Sequence, residues 1–78
     1  MEYDEDKVDE AVLALLYLTM FEDKPGWRAW KSHDWDALDR LHKKGYISDP
    51  KGKARSVVMT EEGAKRAREL FEKHFMRV

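Results

Sequence analysis

Between residues 8 and 21 the chain is apolar on nearly every side of a helix. Val8, Val12, Leu15, Leu16 and Met20 recur at i, i+4, i+7, i+8 and i+12, the period of an amphipathic helix. Ala11, Leu13, Ala14, Tyr17 and Leu18 widen that stripe almost around the circumference. A surface helix keeps one face polar, so a helix over residues 5–21 with this pattern must lie at the centre of a fold or be shared with a second chain. Acidic residues in its first turn suit the positive end of the helix dipole.

A chain of 78 residues buries a limited core around such a helix, and one domain spanning residues 1–78 is the expected organisation. With no cysteine there is neither a disulfide framework nor a thiolate metal site, which fits a reducing cytoplasm and leaves packing or association with a partner to supply stability. The apolar run of residues 11–21 is too short to span a bilayer and follows acidic rather than basic residues, so no membrane role and no export are expected. The formal charge of −1 conceals an uneven distribution: one base against eight acids in residues 1–23, nine against four in residues 24–59, and five against four in residues 60–78. The basic middle segment is compatible with an anionic partner, and equally with neutralisation by the acidic first helix.

After Lys24-Pro25-Gly26 breaks the first pattern, residues 27–31 read as a turn or two of helix whose Trp27 and Trp30, one turn apart, lock the first helix against the next. A second helix follows with clear limits: Asp34 or Ser32 as N-cap, Trp35 at the first helical position, and Gly45 at the left-handed position that ends it. Its buried stripe is expected to be Trp35, Leu38 and Leu41. Its exposed face carries the pairs Asp36–Arg40 and Asp39–Lys43. Tyr46 and Ile47 start a short strand ended by Asp49 and Pro50, and Val57, Val58 and Met59 form a second, so residues 46–59 read as a hairpin with a basic tip. Thr60 caps the last helix, whose apolar face comprises Ala64, Ala67, Leu70, Phe71, His74 and Phe75. Along its surface run the pairs Glu62–Arg66, Glu69–Lys73 and Arg68–Glu72.

These elements predict an α+β fold of winged helix-turn-helix type, with helices and a two-stranded β-hairpin, the wing, before the last helix. The stretch Leu38, Leu41, Lys44-Gly45-Tyr46-Ile47, then a basic turn and Val57-Val58-Met59-Thr60-Glu61-Glu62-Gly63, resembles the recognition helix, wing and following helix of regulators of the MarR and PadR kind. Taken whole, the chain also resembles members of a small bacterial family of unknown function. The first resemblance implies a transcriptional regulator that binds double-stranded DNA. Residues 34–44 would then be the recognition helix, Lys51, Lys53 and Arg55 in the wing would reach phosphates, and Arg40, Lys43 and Lys44 would add positive charge.

A protein-interaction or homodimerisation module that binds no nucleic acid is the alternative reading. Asp34, Asp36 and Asp39 occupy the end of the helix that would meet base edges, and only fourteen residues separate Met20 from Trp35. The first and last helices offer more apolar surface than one small core covers, and a homodimer through them suits either reading. An enzyme is not expected, nor a cofactor or metal. His33, His42 and His74 are scattered, His42 and His74 stand in or beside apolar faces where a hydrogen-bonded structural imidazole is the common outcome, and His33-Asp34 has no nucleophile to serve.

Overall fold

A computed structural model describes residues 2–31 and 34–77. The elements are α1 (Glu5–Leu18), β1 (Met20–Asp23), β2 (Gly26–Trp30), α2 (Trp35–Lys43), β3 (Ser56–Met59) and α3 (Glu61–Phe75). Among the described residues the fold is α+β, with α1 and α3 against one face of a three-stranded antiparallel sheet in the order β1-β2-β3 and α2 packed on α1.

Helix α1 begins at Asp4, whose side chain accepts a hydrogen bond from the Lys7 amide. It ends at Leu18, three residues short of the predicted limit, because Met20 and Phe21 leave the helix to pair with Ala29 and Arg28. The predicted helical peg over residues 27–31 is a strand. β1 and β2 form a tight hairpin closing at Asp23 and Gly26, with a cis Lys24–Pro25 peptide in the turn. Spacing of three residues between tryptophans fits one side of a helix, but in a strand it sends Trp27 and Trp30 to opposite faces. Neither tryptophan is the buried lock that was expected: Trp27 is 44% and Trp30 50% exposed, and Ala29 between them enters the core.

The predicted two-stranded wing is also corrected. β3 takes β2 as its partner, from Trp27 opposite Met59 to Trp30 opposite Ser56, while the intended first strand is reduced to one bridge between Ile47 and Met59. Ser48 extends that contact, its amide donating to the Val58 carbonyl and its hydroxyl accepting from the Val58 amide. Pairing with the aromatic-rich β2 gives β3 a full ladder, which two residues before Asp49-Pro50 do not provide.

The limits of α2 follow the sequence closely. Asp34 caps it by accepting from the Ala37 amide at 3.2 Å; Ser32, the other cap considered, lies outside the described residues. Gly45 has φ +85°, and the Gly45 and Tyr46 amides donate back to His42 and Leu41, the paired bonds of a Schellman termination. The buried stripe, however, is Ala37, Leu38 and Leu41. Trp35 is 62% exposed, because the first turn of α2 projects beyond the core.

Thr60 fastens the last helix to that turn. Its hydroxyl accepts from the Gly63 amide at 2.9 Å and lies 2.7 Å from the Gly45 carbonyl oxygen, to which it donates. On α3, Ala67 and Leu70 are buried, Ala64 and Phe71 are half-buried, and His74 and Phe75 are exposed, so the helix runs past the core that the sequence assigned to its whole apolar face. Arg68 does pair with Glu72, at 3.7 Å, while Arg66 turns to Glu10 of α1.

One core unites Val12, Leu13, Ala14 and Leu16 of α1 with Ala29, Leu38, Leu41, Ile47, Val57, Met59, Ala67 and Leu70. Its tightest point is Gly63, where a Cβ would overlap the backbone carbonyl of Tyr46. Backbone cannot yield there as a side-chain tip would. Gly63→Ala is expected to lower stability by about 3 kcal/mol. Gly52→Ala, in an open exposed loop, should stay within about 0.5 kcal/mol of the parent. Urea denaturation midpoints of the two variants check both values.

Candidate nucleic-acid interface

The six cations singled out from the sequence divide into two groups. Arg40 and Lys44, on the side of α2 facing α1, converge on the carboxylate of Asp9, which is 1% exposed. Arg40 Nε lies 2.9 and 3.0 Å from the two Asp9 oxygens, and its Nη2 lies 2.8 Å from Oδ1. Lys44 Nζ approaches Oδ2 at 2.9 Å. Arg40 also reaches Glu5 at 3.2 Å, and Lys44 reaches Asp6 at 3.4 Å. Arg40 therefore makes these contacts in place of the surface pair with Asp36 that helical spacing suggested. Lys43 pairs with Asp39 at 3.2 Å, as expected.

Burial pushes the Asp9 carboxyl up, but the hydrogen bonds and charges of Arg40 and Lys44 outweigh it and hold the group below the usual carboxylate range. Asp9 raises Arg40 and Lys44 in turn, chiefly by its hydrogen bonds to each.

The second group, Lys51, Lys53 and Arg55, is exposed in the loop between α2 and β3. No ion pair among the described residues involves any of the three. The loop is nevertheless held firmly. Pro50 is fully buried, Asp49 accepts from the Lys51 amide, and Lys31 Nζ donates to the carbonyls of Pro50 at 2.6 Å and Gly52 at 2.8 Å. The Lys31 amide donates to the Arg55 carbonyl at 2.9 Å, and Arg28 holds Ser56 by its hydroxyl and its carbonyl. The sequence reading missed Lys31 and Arg28. Only the strand assignment of residues 26–30 brings them beside a loop 19 to 28 residues downstream.

The register also defines what lies on each side of the sheet. Ala29, Val57 and Met59 face the helices, so Phe21, Arg28 and Val58 form a row across the opposite face, with Trp30 and Ser56 in the next row. No described helix covers this side. The rings of Phe21 and Trp30 lie 5.0 Å apart at 30°. At the end of the sheet, Lys31 Nζ sits 5.7 Å from the ring centre of the exposed Trp35.

On the helix side a groove of about 620 Å³ opens between Tyr17, Leu18, Met20 and Trp27 on one hand and Ala64, Lys65 and Arg68 of α3 on the other. Its rim continues into an aromatic series, Tyr17 against Phe71 at 5.2 Å and Phe71 against Phe75 at 5.6 Å.

The histidines are dispersed. His42 Nδ1 lies 3.0 Å from the Ile47 carbonyl, a contact that requires this nitrogen to carry the proton and that closes the turn after α2. His74 lies 3.7 Å from Glu10, and His33 is outside the described residues. Among the described residues no three His, Cys, Asp or Glu side chains converge as a metal site, and no helix is long and apolar enough to cross a membrane.

Residues 4–77 match the model of the family described as Domain of unknown function (DUF6429). The chain is 52% identical over 77 residues, 99% of its length and 100% of the relative's, to a protein of Sinorhizobium fredii (strain NBRC 101917 / NGR234) that bears the name Uncharacterized protein y4hR. No solved structure matches it.

The Asp9 cluster has a direct consequence for acid stability. Because folding lowers the Asp9 pKa, its contribution is complete above the ordinary value of 3.8 and is lost as pH falls from there through the folded value, the unfolded chain taking up its proton first. Asp9→Asn should flatten this acid limb. At neutral pH it should cost about 2 kcal/mol, less than a fully buried pair because Arg40 and Lys44 reach water. Thermal melts of both proteins at neutral pH and from about pH 4 down to about pH 2 measure the two effects.

Proposed function

The chain belongs to the bacterial family described as Domain of unknown function (DUF6429), and we propose that it is a non-enzymatic nucleic-acid-binding domain that grips the phosphate backbone through Lys51, Lys53 and Arg55. The observation that carries this reading is a loop presenting three exposed cations with no carboxylate partner among the described residues, on a backbone pinned by Lys31 and Arg28. A loop backbone already held in place has less freedom to lose when its cations meet a polyanion, and each phosphate contact releases counterions. The succession of α2, a basic loop, β3 and α3 adds support, since it keeps the order of elements in a winged-helix regulator although a loop takes the place of the two-stranded wing.

In this reading α2 is a support more than a base-reading helix. Arg40 and Lys44 are engaged by Asp9, and the first turn of α2 offers Asp34 and Asp36 to anything approaching. The loop then carries affinity without much sequence discrimination.

Labelled DNA of mixed sequence, in single- and double-stranded form, titrated by fluorescence anisotropy at about 50 and 200 mM salt tests the reading. Binding is expected to weaken with salt. Lys51→Ala/Lys53→Ala/Arg55→Ala should reduce the slope of log K against log salt by about 2 on single strands or about 2.7 on duplex. Absence of binding to both forms at about 100 µM protein and the lower salt, the weak end of nonspecific affinity, refutes it.

A second reading, self-association through α1 and α3, is favoured by the apolar groove and its surroundings, where Leu18 is 62%, Phe75 47% and Met76 54% exposed. A homodimer across this surface would cover them and leave the basic loops of both copies free. Sedimentation velocity should then show a concentration-dependent dimer that Leu18→Glu dissociates. A monomer at all concentrations rejects the dimer without touching the loop.

A further inference from the structure

We propose that the uncovered face of the sheet stacks the bases of a single-stranded nucleic acid on Trp30, braced by Phe21, while the adjoining basic loop holds its phosphates. The inference rests on the phosphate-gripping role of residues 51–55 and adds to it the form of nucleic acid bound. It begins from an oddity of the sheet. Positions that normally carry polar residues on the wet side of an antiparallel sheet carry Phe21, Trp30 and Val58, of which Trp30 is 50% and Val58 41% exposed. The helices draw their apolar contacts from the other face, so nothing among the described residues covers these side chains.

Geometry and charge select the occupant. Phe21 and Trp30 pack ring against ring at 5.0 Å and 30°, an aromatic platform whose outer surface is the half-exposed Trp30, and every base offers a π-face to such a ring. Arg28 stands in the same row as Phe21 and Val58. Ser56, the register partner of Trp30, is followed in reverse by Arg55, Lys53 and Lys51, so cations begin one residue beyond the aromatic position. The acid on this face, Asp23, lies at the opposite end beside the β1–β2 turn. A strand with its bases on the platform and its backbone running toward the loop therefore moves from apolar contact into positive charge.

A duplex is the poorer fit. Its bases are already stacked and paired, so aromatic rings on a flat sheet cannot reach their faces. The helix that could enter a major groove, α2, presents Asp34 and Asp36 at its leading end and has Arg40 and Lys44 engaged elsewhere. Unpaired bases need neither a groove nor base-edge donors.

The test uses the full chain with a labelled oligothymidine and a duplex of equal length, following anisotropy and the quenching of tryptophan emission. The single strand is expected to bind more tightly than the duplex and to quench emission. Trp30→Ala should weaken single-strand binding about tenfold while leaving the salt slope unchanged, and Trp30→Phe should retain most of the affinity. Val58→Glu, which sets a negative charge in the middle of the face without touching the core, should weaken binding as well and serves if Trp30→Ala does not fold. Equal or tighter binding of duplex, or full single-strand affinity in both Trp30→Ala and Val58→Glu, overturns the stacking proposal while the basic loop stands as a phosphate contact. No binding of either form removes both and turns the sheet face into a surface for a protein partner.

Discussion

The carboxylate of Asp9 is the point on which the helical half of the molecule turns. It is a charged group nearly sealed from water where the acidic first turn of α1 gives way to its apolar core residues, and its ionised form survives because Arg40 and Lys44 supply hydrogen bonds and charge together. A buried charge without such partners would cost several kcal/mol, so α2 cannot rotate or slide along α1 without exposing the loss. Leu38 and Leu41, on the same helix, are thereby held against the α1 core, and Gly45 leaves α2 at the position from which Tyr46 can lie under Gly63 of α3. A single electrostatic cluster sets the relation of α1 to α2, and through the turn after α2 it sets the place of α3.

The same cluster divides the basic segment of the chain by function. Cations that look equivalent along the sequence differ once folded: Arg40 and Lys44 neutralise the acidic first helix, whereas Lys51, Lys53 and Arg55 form no ion pair among the described residues. A near-neutral protein thus keeps a local positive surface. That surface is supported from below by Lys31, whose side chain spends its donors on loop carbonyls, and by Arg28, which binds Ser56 at the root of β3. Two further bases act as scaffolding for three that face solvent.

The sheet accounts for the remaining character of the surface. Three strands with helices on one side leave the other side open, and no described helix or strand covers it. Its edge at β3 is partly closed by Ile47 and Ser48, which use one bridge and a serine hydroxyl to satisfy the Val58 backbone. The face itself keeps aromatic and branched side chains where solvation would favour polar ones, and it adjoins the basic loop.

By itself the sequence determined the features that depend on neighbours a few residues apart. The caps Asp34 and Thr60 are short polar side chains able to satisfy the free amides of a first turn. Gly45 is the residue that adopts positive φ without penalty. The leucine stripe of α2 follows from helical period, and the exposed basic loop follows from Gly52 and its flanking charges. Family membership as a small bacterial domain was legible too, because it resides in the order of residues. Only the tertiary structure decided whether residues 20–30 were helix or strand. Met20 and Phe21 extend the helical pattern locally, and Trp27 and Trp30 fit one helix face, yet long-range pairing with Val57, Val58 and Met59 offers a full ladder of backbone bonds that no short-range pattern reports. The exposure of the three tryptophans, the bond between Arg40 and Asp9 across thirty-one residues, and the closeness of Arg28 to the loop all follow from that pairing and from the packing of α1. These are contacts between residues far apart in the chain, and the sequence carries no local signal for them.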